Sequence, residues 1–478
     1  MILKNINHNY EYRNIKMCTM FFPLEKIVSS DDGNQNIVVV TEKNDSLLMV
    51  DAKAYGKHIH KECKIMDNDD VEFEMSRLLY LALKDLTGFN PPWGMLYGVR
   101  PARLMHATVE KIGKTATKEK FLKEHLVSEQ KIDLALEVME RENKIIALSQ
   151  TNSYSLYVSI PFCPSRCSYC SFVSHSIENA KELIDPYVEL LCRELEHTGK
   201  IANSLNLQLE TIYFGGGTPT TLNSKQLKML FDTIKNNFDL SNLREYTVEA
   251  GRPDTVDENK LLTIKNNNVT RISINPQTFN DSVLEKIGRR HTSRQTIDAY
   301  NLARQVGIDN INMDLIAGLN GDTLDSFKNS VDTAVDLGAE SITVHNLALK
   351  SGAYLVTKNE NYDLEEKLST AKMIDYSYNK LKANSYYPYY MYRQSKSLGN
   401  LENVGWCKKD LDCLYNVYMM DETHSVFACG GGAVTKLKNQ LTGHIDRIYN
   451  YKYPYEYVNN FSEVINRKNG IFDFYNAY

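Results

Sequence analysis

The run Tyr157-Val-Ser-Ile-Pro161-Phe-Cys163-Pro164-Ser-Arg-Cys167-Ser-Tyr169-Cys170-Ser-Phe172 decides how this chain folds and what it holds. A short apolar strand leads into three cysteines spaced C-x3-C-x2-C. Thiolates are soft ligands that select zinc, copper(I) or iron–sulfur clusters. A structural zinc site wants four ligands, and a closed 4Fe-4S site takes four cysteines. Three cysteines with no fourth nearby point to a cluster with one iron left open to a small molecule. Buried cysteines otherwise pack as small hydrophobes. Three within eight residues, on a loop with Pro161 and Pro164, cannot all be core. A zinc site completed by His175 is the rival reading.

The chain has 478 residues, enough for two or three domains. Its net charge of −5 provides no basic field to recruit nucleic acid or anionic lipid. The opening Met1-Ile-Leu-Lys-Asn-Ile lacks the apolar core of a secretory leader. No stretch approaches the roughly 18 apolar residues of a membrane span. Cys18, Cys63, Cys192, Cys407, Cys413 and Cys429 are scattered and show no disulfide framework, which fits a reducing cytoplasm.

Beyond residue 150 the pattern alternates between strand and helix. Candidate strands are Tyr154–Ile160, Leu209–Phe214, Glu245–Ala250, Thr270–Asn275, Asn310–Ile316 and Ser341–Leu347. Helical spacing fills Ala180–Lys200, Ser224–Phe238, Asp257–Asn267, Ser293–Val306 and Thr323–Leu337, with Ser224 and Asp257 as N-caps and Gly307 and Gly338 as stops. Six such units predict an α/β fold with a parallel sheet and right-handed crossovers. A partial (β/α)6 barrel over 151–370 is expected, with an open doubly wound sheet as the alternative. Residues 1–150 form an accessory α+β region with a hairpin at Ile37–Val40 and Ser46–Val50 and helices near Asp70–Leu86 and Lys118–Ser149. Residues 371–478 form a C-terminal extension that covers substrate.

A barrel demands that reacting groups lie at the C-terminal ends of its strands. The cysteine loop follows the first strand, and Gly215-Gly216-Gly217-Thr218-Pro219 follows the second. Glu249 ends the third, Gln277 follows the fourth, Asp314 ends the fifth and His345 the sixth. Glycines allow close backbone approach to a ligand, though a triple glycine alone can be a tight turn. Glu249 can bind a ribose or an amine, or pair with Arg252 or Arg271. Gln277, Arg289 and Asp314 can bind ligand, cap a helix or form ion pairs. His345 reads as an axial ligand, a proton donor or a satisfied core group. Gly430-Gly431-Gly432 is a structural turn, since Ala433–Lys438 is too short for a phosphate-binding helix. The tyrosines of 386–392 read as a strand and its packing, or as a surface for a flat apolar ligand.

Taken in order, Tyr157–Cys170, Tyr213-Phe-Gly-Gly-Gly-Thr-Pro-Thr220, Thr247-Val-Glu-Ala250, Ile274-Asn-Pro-Gln-Thr-Phe-Asn280, Gly288-Arg-Arg-His291 and Asn312-Met-Asp-Leu-Ile-Ala-Gly-Leu319 resemble the oxygen-independent coproporphyrinogen III dehydrogenases of the radical S-adenosylmethionine (radical SAM) superfamily. The resemblance covers about 150–435, and the N-terminal region and Met391–Gly405 look like its HemZ-type branch. It implies that Cys163, Cys167 and Cys170 ligate a 4Fe-4S cluster. Tyr157, Gly216 and Glu249 would hold the S-adenosylmethionine that chelates the open iron, with Tyr157 and Glu249 as catalytic residues. Gly217, Thr218, Gln277, Arg289, Asp314 and Ala348 would bind a second S-adenosylmethionine, and the Tyr169 backbone would touch adenine. The implied reaction is oxidative decarboxylation of two propionates of coproporphyrinogen III to vinyl groups, giving protoporphyrinogen IX in anaerobic haem synthesis. A low-potential electron donor of flavodoxin or ferredoxin type is implied; no nucleic-acid partner and no membrane span are expected, and the protein is expected to be monomeric.

Two departures leave other readings open. The dehydrogenases carry a further cysteine where this chain has Phe172. Cys170–His175 looks closer to the haem-chaperone relatives, yet their tail histidine is missing around Leu398–Trp406. A haem carrier that keeps the cluster, and an anaerobic haem-degrading methyltransferase, are the alternatives.

Overall fold

The computed structural model describes residues 1–30, 36–67, 69–170, 175–349 and 364–477. Phe172 lies outside them, and so does the side chain of His175. The N-terminal sheet runs in the order of its strands, β1 (Ile2–Ile6), β2 (Ile37–Asn44), β3 (Leu47–Ala54) and β4 (Lys57–Lys64). The expected hairpin is β2–β3. Both strands alternate buried and half-exposed positions, the period-two pattern of a sheet with one covered face. The helix Val71–Thr87 begins at Asp70, whose side chain accepts from Phe73 N, and ends at left-handed Gly88. The single helix expected over Lys118–Ser149 is two, Lys114–Lys123 and Glu129–Ile146, separated by a turn with Leu126 at φ 58°.

The main sheet holds the six expected strands in parallel and in chain order. They are β5 (Ser153–Ile160), β6 (Gln208–Gly216), β7 (Glu245–Glu249), β8 (Arg271–Ser273), β9 (Ile311–Ala317) and β10 (Ser341–Asn346). Right-handed crossovers between strands that never reverse order put every helix on one face. That is a barrel wall; a doubly wound sheet needs a reversal. The helices between are firmly delimited. Asn223, one residue before the expected Ser224, makes a capping box with Gln226, and Asp257 accepts from Lys260 N. Gly307 and Gly338 sit at φ 83° and 81° just past helix ends.

Later segments extend this sheet at both edges. β11 (Tyr387–Arg393) and β12 (Glu402–Cys407) add antiparallel strands beyond β10. β13 (Ser425–Cys429) lies parallel to β5, followed by antiparallel β14 (Val434–Lys438) and β15 (Ile445–Tyr449). The order is β11-β12-β10-β9-β8-β7-β6-β5-β13-β14-β15, and the sheet does not close on itself. The hydrophobic core divides near residue 95. One cluster spans Met1–Met95 and another runs from Trp93 to Phe474. The helix Glu129–Ile146 therefore belongs to the barrel's core, although it lies before residue 150. The chain after residue 370 supplies strands to the barrel sheet. Among the described residues, no helix is long and apolar enough to cross a membrane.

Candidate active site

A cavity of about 370 Å³ opens at the C-terminal ends of the parallel strands, and Cys163, Cys167 and Cys170 line it. Their loop is tied down on two sides. Gly217 N donates to Ile160 O at 2.8 Å, and Thr218 N to Phe162 O at 2.7 Å. Ser168 N donates to Ile287 O at 2.9 Å, and Ser165 Oγ to Gly288 O at 2.9 Å. Arg252, paired with Asp254 at 2.9 Å, donates to Ser165 Oγ at 3.1 Å. The Thr218 hydroxyl lies 3.5 Å from Cys163 Sγ as a donor. A methyl group on Gly217 would sit 2.5 Å from Phe162 O and 2.8 Å from Ile160 O, so only glycine lets the two loops cross here.

The charged groups of the cavity are few and well defined. Arg289 donates to Asn275 O at 2.6 Å and to Gly251 O at 3.3 Å. Burial pulls its pKa down, but the facing Tyr169 and Cys167 outweigh burial and keep the guanidinium charged. Tyr213 Oη donates to Glu249 Oε1 at 2.5 Å. Burial lifts the Glu249 carboxyl to about 7; Asp314 adds to the rise and Tyr213 opposes it. Arg252 and Arg271, the expected partners of Glu249, instead bind Asp254 and the Leu411 carbonyl. Burial also raises Asp314, but His345 and its other hydrogen-bonding neighbours hold it below the ordinary carboxylate range. His345 Nε2 is 3.7 Å from Asp314 Oδ2, and His345 Nδ1 is 3.3 Å from Tyr392 Oη. Gln277 sits at φ 66°, a strained backbone for a non-glycine residue and a frequent mark of functional sites.

The expected residues fall into adjoining spaces. Gly216, Gly217, Thr218, Glu249, Gln277, Arg289 and Asp314 share the cavity of the cysteines, as does Tyr169. Ala348 lines a neighbouring space of about 230 Å³ with Cys170, Gln277 and His345. Tyr157 faces another, of about 470 Å³, bounded by Gly216, Tyr415 and the turn Gly431–Gly432. Gly216 and Glu249, expected at the cluster's S-adenosylmethionine, thus share the cysteine cavity with most of the residues expected at a second one. Tyr157, expected at the cluster, stacks against Tyr213 and opens on the other space.

Residues 157–334 match the radical SAM superfamily. Over 386 residues the chain is 35% identical to the oxygen-independent coproporphyrinogen-III oxidase-like protein HemZ of Bacillus subtilis, covering 80% of this chain and 77% of that one. The chain belongs to the radical SAM family, in the coproporphyrinogen-oxidase-like group of HemZ. It is also 33% identical over 310 residues to the haem chaperone HemW of Bacillus subtilis, covering 63% of this chain and 77% of HemW. The solved structure of coproporphyrinogen III oxidase (HemN) from Escherichia coli, described as a radical SAM enzyme, superposes with a TM-score of 0.52 at 21% identity. That match covers 67% of this chain and 72% of HemN, and it supports the barrel fold.

The family implies a 4Fe-4S cluster and S-adenosylmethionine, and the donor set fits both. Three soft thiols line one cavity. Among the described residues, no three His, Cys, Asp or Glu side chains gather around a single ion position. Three cysteine thiols, with no fourth cysteine but Cys413 among the described residues lining the cavity, match a cluster held by three thiolates. The uncrowded glycine backbone, Gln277, Arg289 and Asp314 offer partners for an amino-acid end and a ribose.

Several cavity residues were given no site role from the sequence, among them Tyr213, Cys413 and Asn416. One signal was available. Ser273 and Asn275, Asn312 and Asp314, and Thr343 and His345 are polar at alternate positions of strands that should be continuously apolar when both faces are buried.

Proposed function

We propose that this chain is a radical SAM oxidoreductase that decarboxylates two propionates of coproporphyrinogen III to vinyl groups without oxygen, yielding protoporphyrinogen IX. The observation that carries the reading is the meeting of the three cysteines with Gly217, Thr218, Gln277, Arg289 and Asp314 in one cavity. Cluster and S-adenosylmethionine together supply one-electron reduction and hydrogen-atom abstraction. The chain's own residues hold and aim them. Cys163, Cys167 and Cys170 hold the cluster. Tyr157, Gly216 and Glu249 would hold the S-adenosylmethionine that chelates the open iron, and the Tyr169 backbone would touch adenine. Gly217, Thr218, Gln277, Arg289, Asp314 and Ala348 would hold a second S-adenosylmethionine.

Arg252, Arg271 and Arg289 give the cavity buried guanidinium groups, which favour carboxylates such as propionates. Tyr390 and Tyr392 add flat walls suited to a tetrapyrrole ring. Electrons come from a low-potential donor of flavodoxin or ferredoxin type. The protein acts as a monomer in the cytoplasm.

Haem carriage is the second reading. His345 faces the cavity with Asp314 behind it, the carboxylate–histidine arrangement of many metal ligands, and HemW is a haem chaperone. Anaerobic incubation of reconstituted protein with dithionite, S-adenosylmethionine and coproporphyrinogen III separates the two. Loss of two carbon dioxide units in the mass spectrum, with 5′-deoxyadenosine formed, supports the oxidoreductase. Stoichiometric haem binding that is lost in His345→Ala, with no porphyrinogen conversion, supports the carrier.

A further inference from the structure

Tyr213 stands where the cysteine cavity and the space around Tyr157 meet, and it lines both. Its phenol donates to Glu249 at 2.5 Å, and that carboxylate faces the same cavity. Its ring stacks on Tyr415 with centroids 4.5 Å apart and planes at 23°, and on Tyr157 at 6.2 Å and 20°. Tyr415 and Tyr157 are themselves 6.1 Å apart and tilted by 16°. Three nearly parallel phenol rings therefore lead away from the cavity. The pair exists because residue 215 is glycine. A Cβ there would lie 2.9 Å from the Tyr213 ring and 3.2 Å from Glu249 Oε1. Satisfying Glu249 needs only a hydrogen bond. It does not need a phenol shared by two cavities and stacked on two more. Burial and the Glu249 charge hold Tyr213 well above its ordinary pKa, so it keeps its hydrogen at neutral pH.

We propose that Tyr213 is a hydrogen-atom donor to carbon radicals formed in the cysteine cavity, with Glu249 returning the proton afterwards. The inference rests on the radical SAM reading of that cavity. In one concerted step the Tyr213 O–H bond breaks and a C–H bond forms on the radical carbon. The electron and the proton of that O–H bond pass together to the carbon. Tyr213 remains as a neutral phenoxyl, with Tyr415 as the next ring to which the electron vacancy can pass. One electron from the low-potential donor and one proton returned through Glu249 restore the phenol. The pair would end radical reactions that miss their substrate.

The test uses the reconstituted full chain in D2O with dithionite and S-adenosylmethionine, without tetrapyrrole. A phenolic hydrogen exchanges with solvent, so hydrogen donated by Tyr213 arrives as deuterium. Mass spectrometry reads the deuterated fraction of the 5′-deoxyadenosine, and electron paramagnetic resonance of frozen samples reads any tyrosyl radical. The expected result is a deuterated fraction and a tyrosyl signal that narrows on feeding ring-deuterated tyrosine. Both fall to background in Tyr213→Phe and both persist in Tyr415→Phe. The deuterated fraction is a ratio, so it does not depend on how much Tyr213→Phe protein folds; equal iron content checks the loading. An unchanged deuterated fraction in Tyr213→Phe overturns the proposal. Absence of deoxyadenosine from every protein overturns the cavity reading, and the proposal with it.

Discussion

Lys131 Nζ lies 2.7 Å from Glu402 Oε1, and each side chain is only 1% exposed. Trp93 Nε1 donates to the other oxygen of the same carboxylate at 2.6 Å. Burial alone would raise Glu402, but the Lys131 charge outweighs it and keeps the group ionised. Two segments that precede the barrel, at Trp93 and in the helix Glu129–Ile146, are thereby fastened to β12, an extension strand beside β10. The first helices of the chain and its later strands brace one wall of the cavity from outside.

Removing Lys131 leaves Glu402 buried with no cation in contact among the described residues, and removing Glu402 leaves buried Lys131 with only the half-exposed Asp375 at 3.4 Å. Lys131→Met and Glu402→Gln should each destabilise the fold by about 3–5 kcal/mol, while Lys131→Met with Glu402→Leu recovers most of the loss. Urea midpoints of the singles and the double check this; additive losses contradict it.

The glycine turns are not equivalent. Gly217→Ala must push a methyl group into two backbone carbonyls, whereas a methyl group on Gly431 meets nothing closer than 3.5 Å. Gly217→Ala should abolish S-adenosylmethionine binding in equilibrium dialysis. Gly431→Ala should bind normally and unfold within about 0.5 kcal/mol of the parent.

Glu142 is buried, and its carboxyl is pushed from 4.5 up to about 8 by burial, with the Asp421 charge adding to it. Between those values the folded chain keeps a proton that the unfolded chain has released. Stability therefore falls as pH rises through the window, by up to about 1.4 kcal/mol per pH unit. Glu142→Gln removes this slope. Thermal melts from pH 5 to 8 should show its advantage over the parent growing with pH; a constant difference contradicts the sign.

The Thr218 hydroxyl points at Cys163 Sγ, and hydrogen bonds to cluster sulfur favour the more negative, reduced state. Thr218→Val should lower the cluster's reduction potential in a spectroscopic redox titration, with iron content unchanged.

The barrel was legible because each of its units is local. Strand, crossover helix and glycine stop occur within about forty residues, and functional groups at strand ends follow from that topology. Of the extra strands only β11, at the tyrosines of 386–392, was legible. β13 pairs with β5 although Ser425 and Tyr154 are far apart in sequence, and no local pattern announces so distant a partner. The same holds for the site. Cys163, Gly217, Gln277 and Asp314 are visible as motif residues, whereas Tyr390 and Asn416 enter the cavity, and Tyr415 the neighbouring space, from segments that reveal their direction only once packed. The division between Tyr157 and the cysteines was also invisible. It depends on where the Tyr213 ring lies, and strand alternation fixes a face without fixing which neighbouring ring closes it.

The most direct test is electron paramagnetic resonance of the anaerobically reconstituted, dithionite-reduced protein, titrated with S-adenosylmethionine. The expected result is a 4Fe-4S spectrum, lost in Cys167→Ala, that changes on binding S-adenosylmethionine and fails to change in Tyr157→Ala with Glu249→Ala. A spectrum indifferent to S-adenosylmethionine in the parent protein, or a cluster that survives loss of Cys167, would contradict a three-cysteine cluster with one iron open to that ligand.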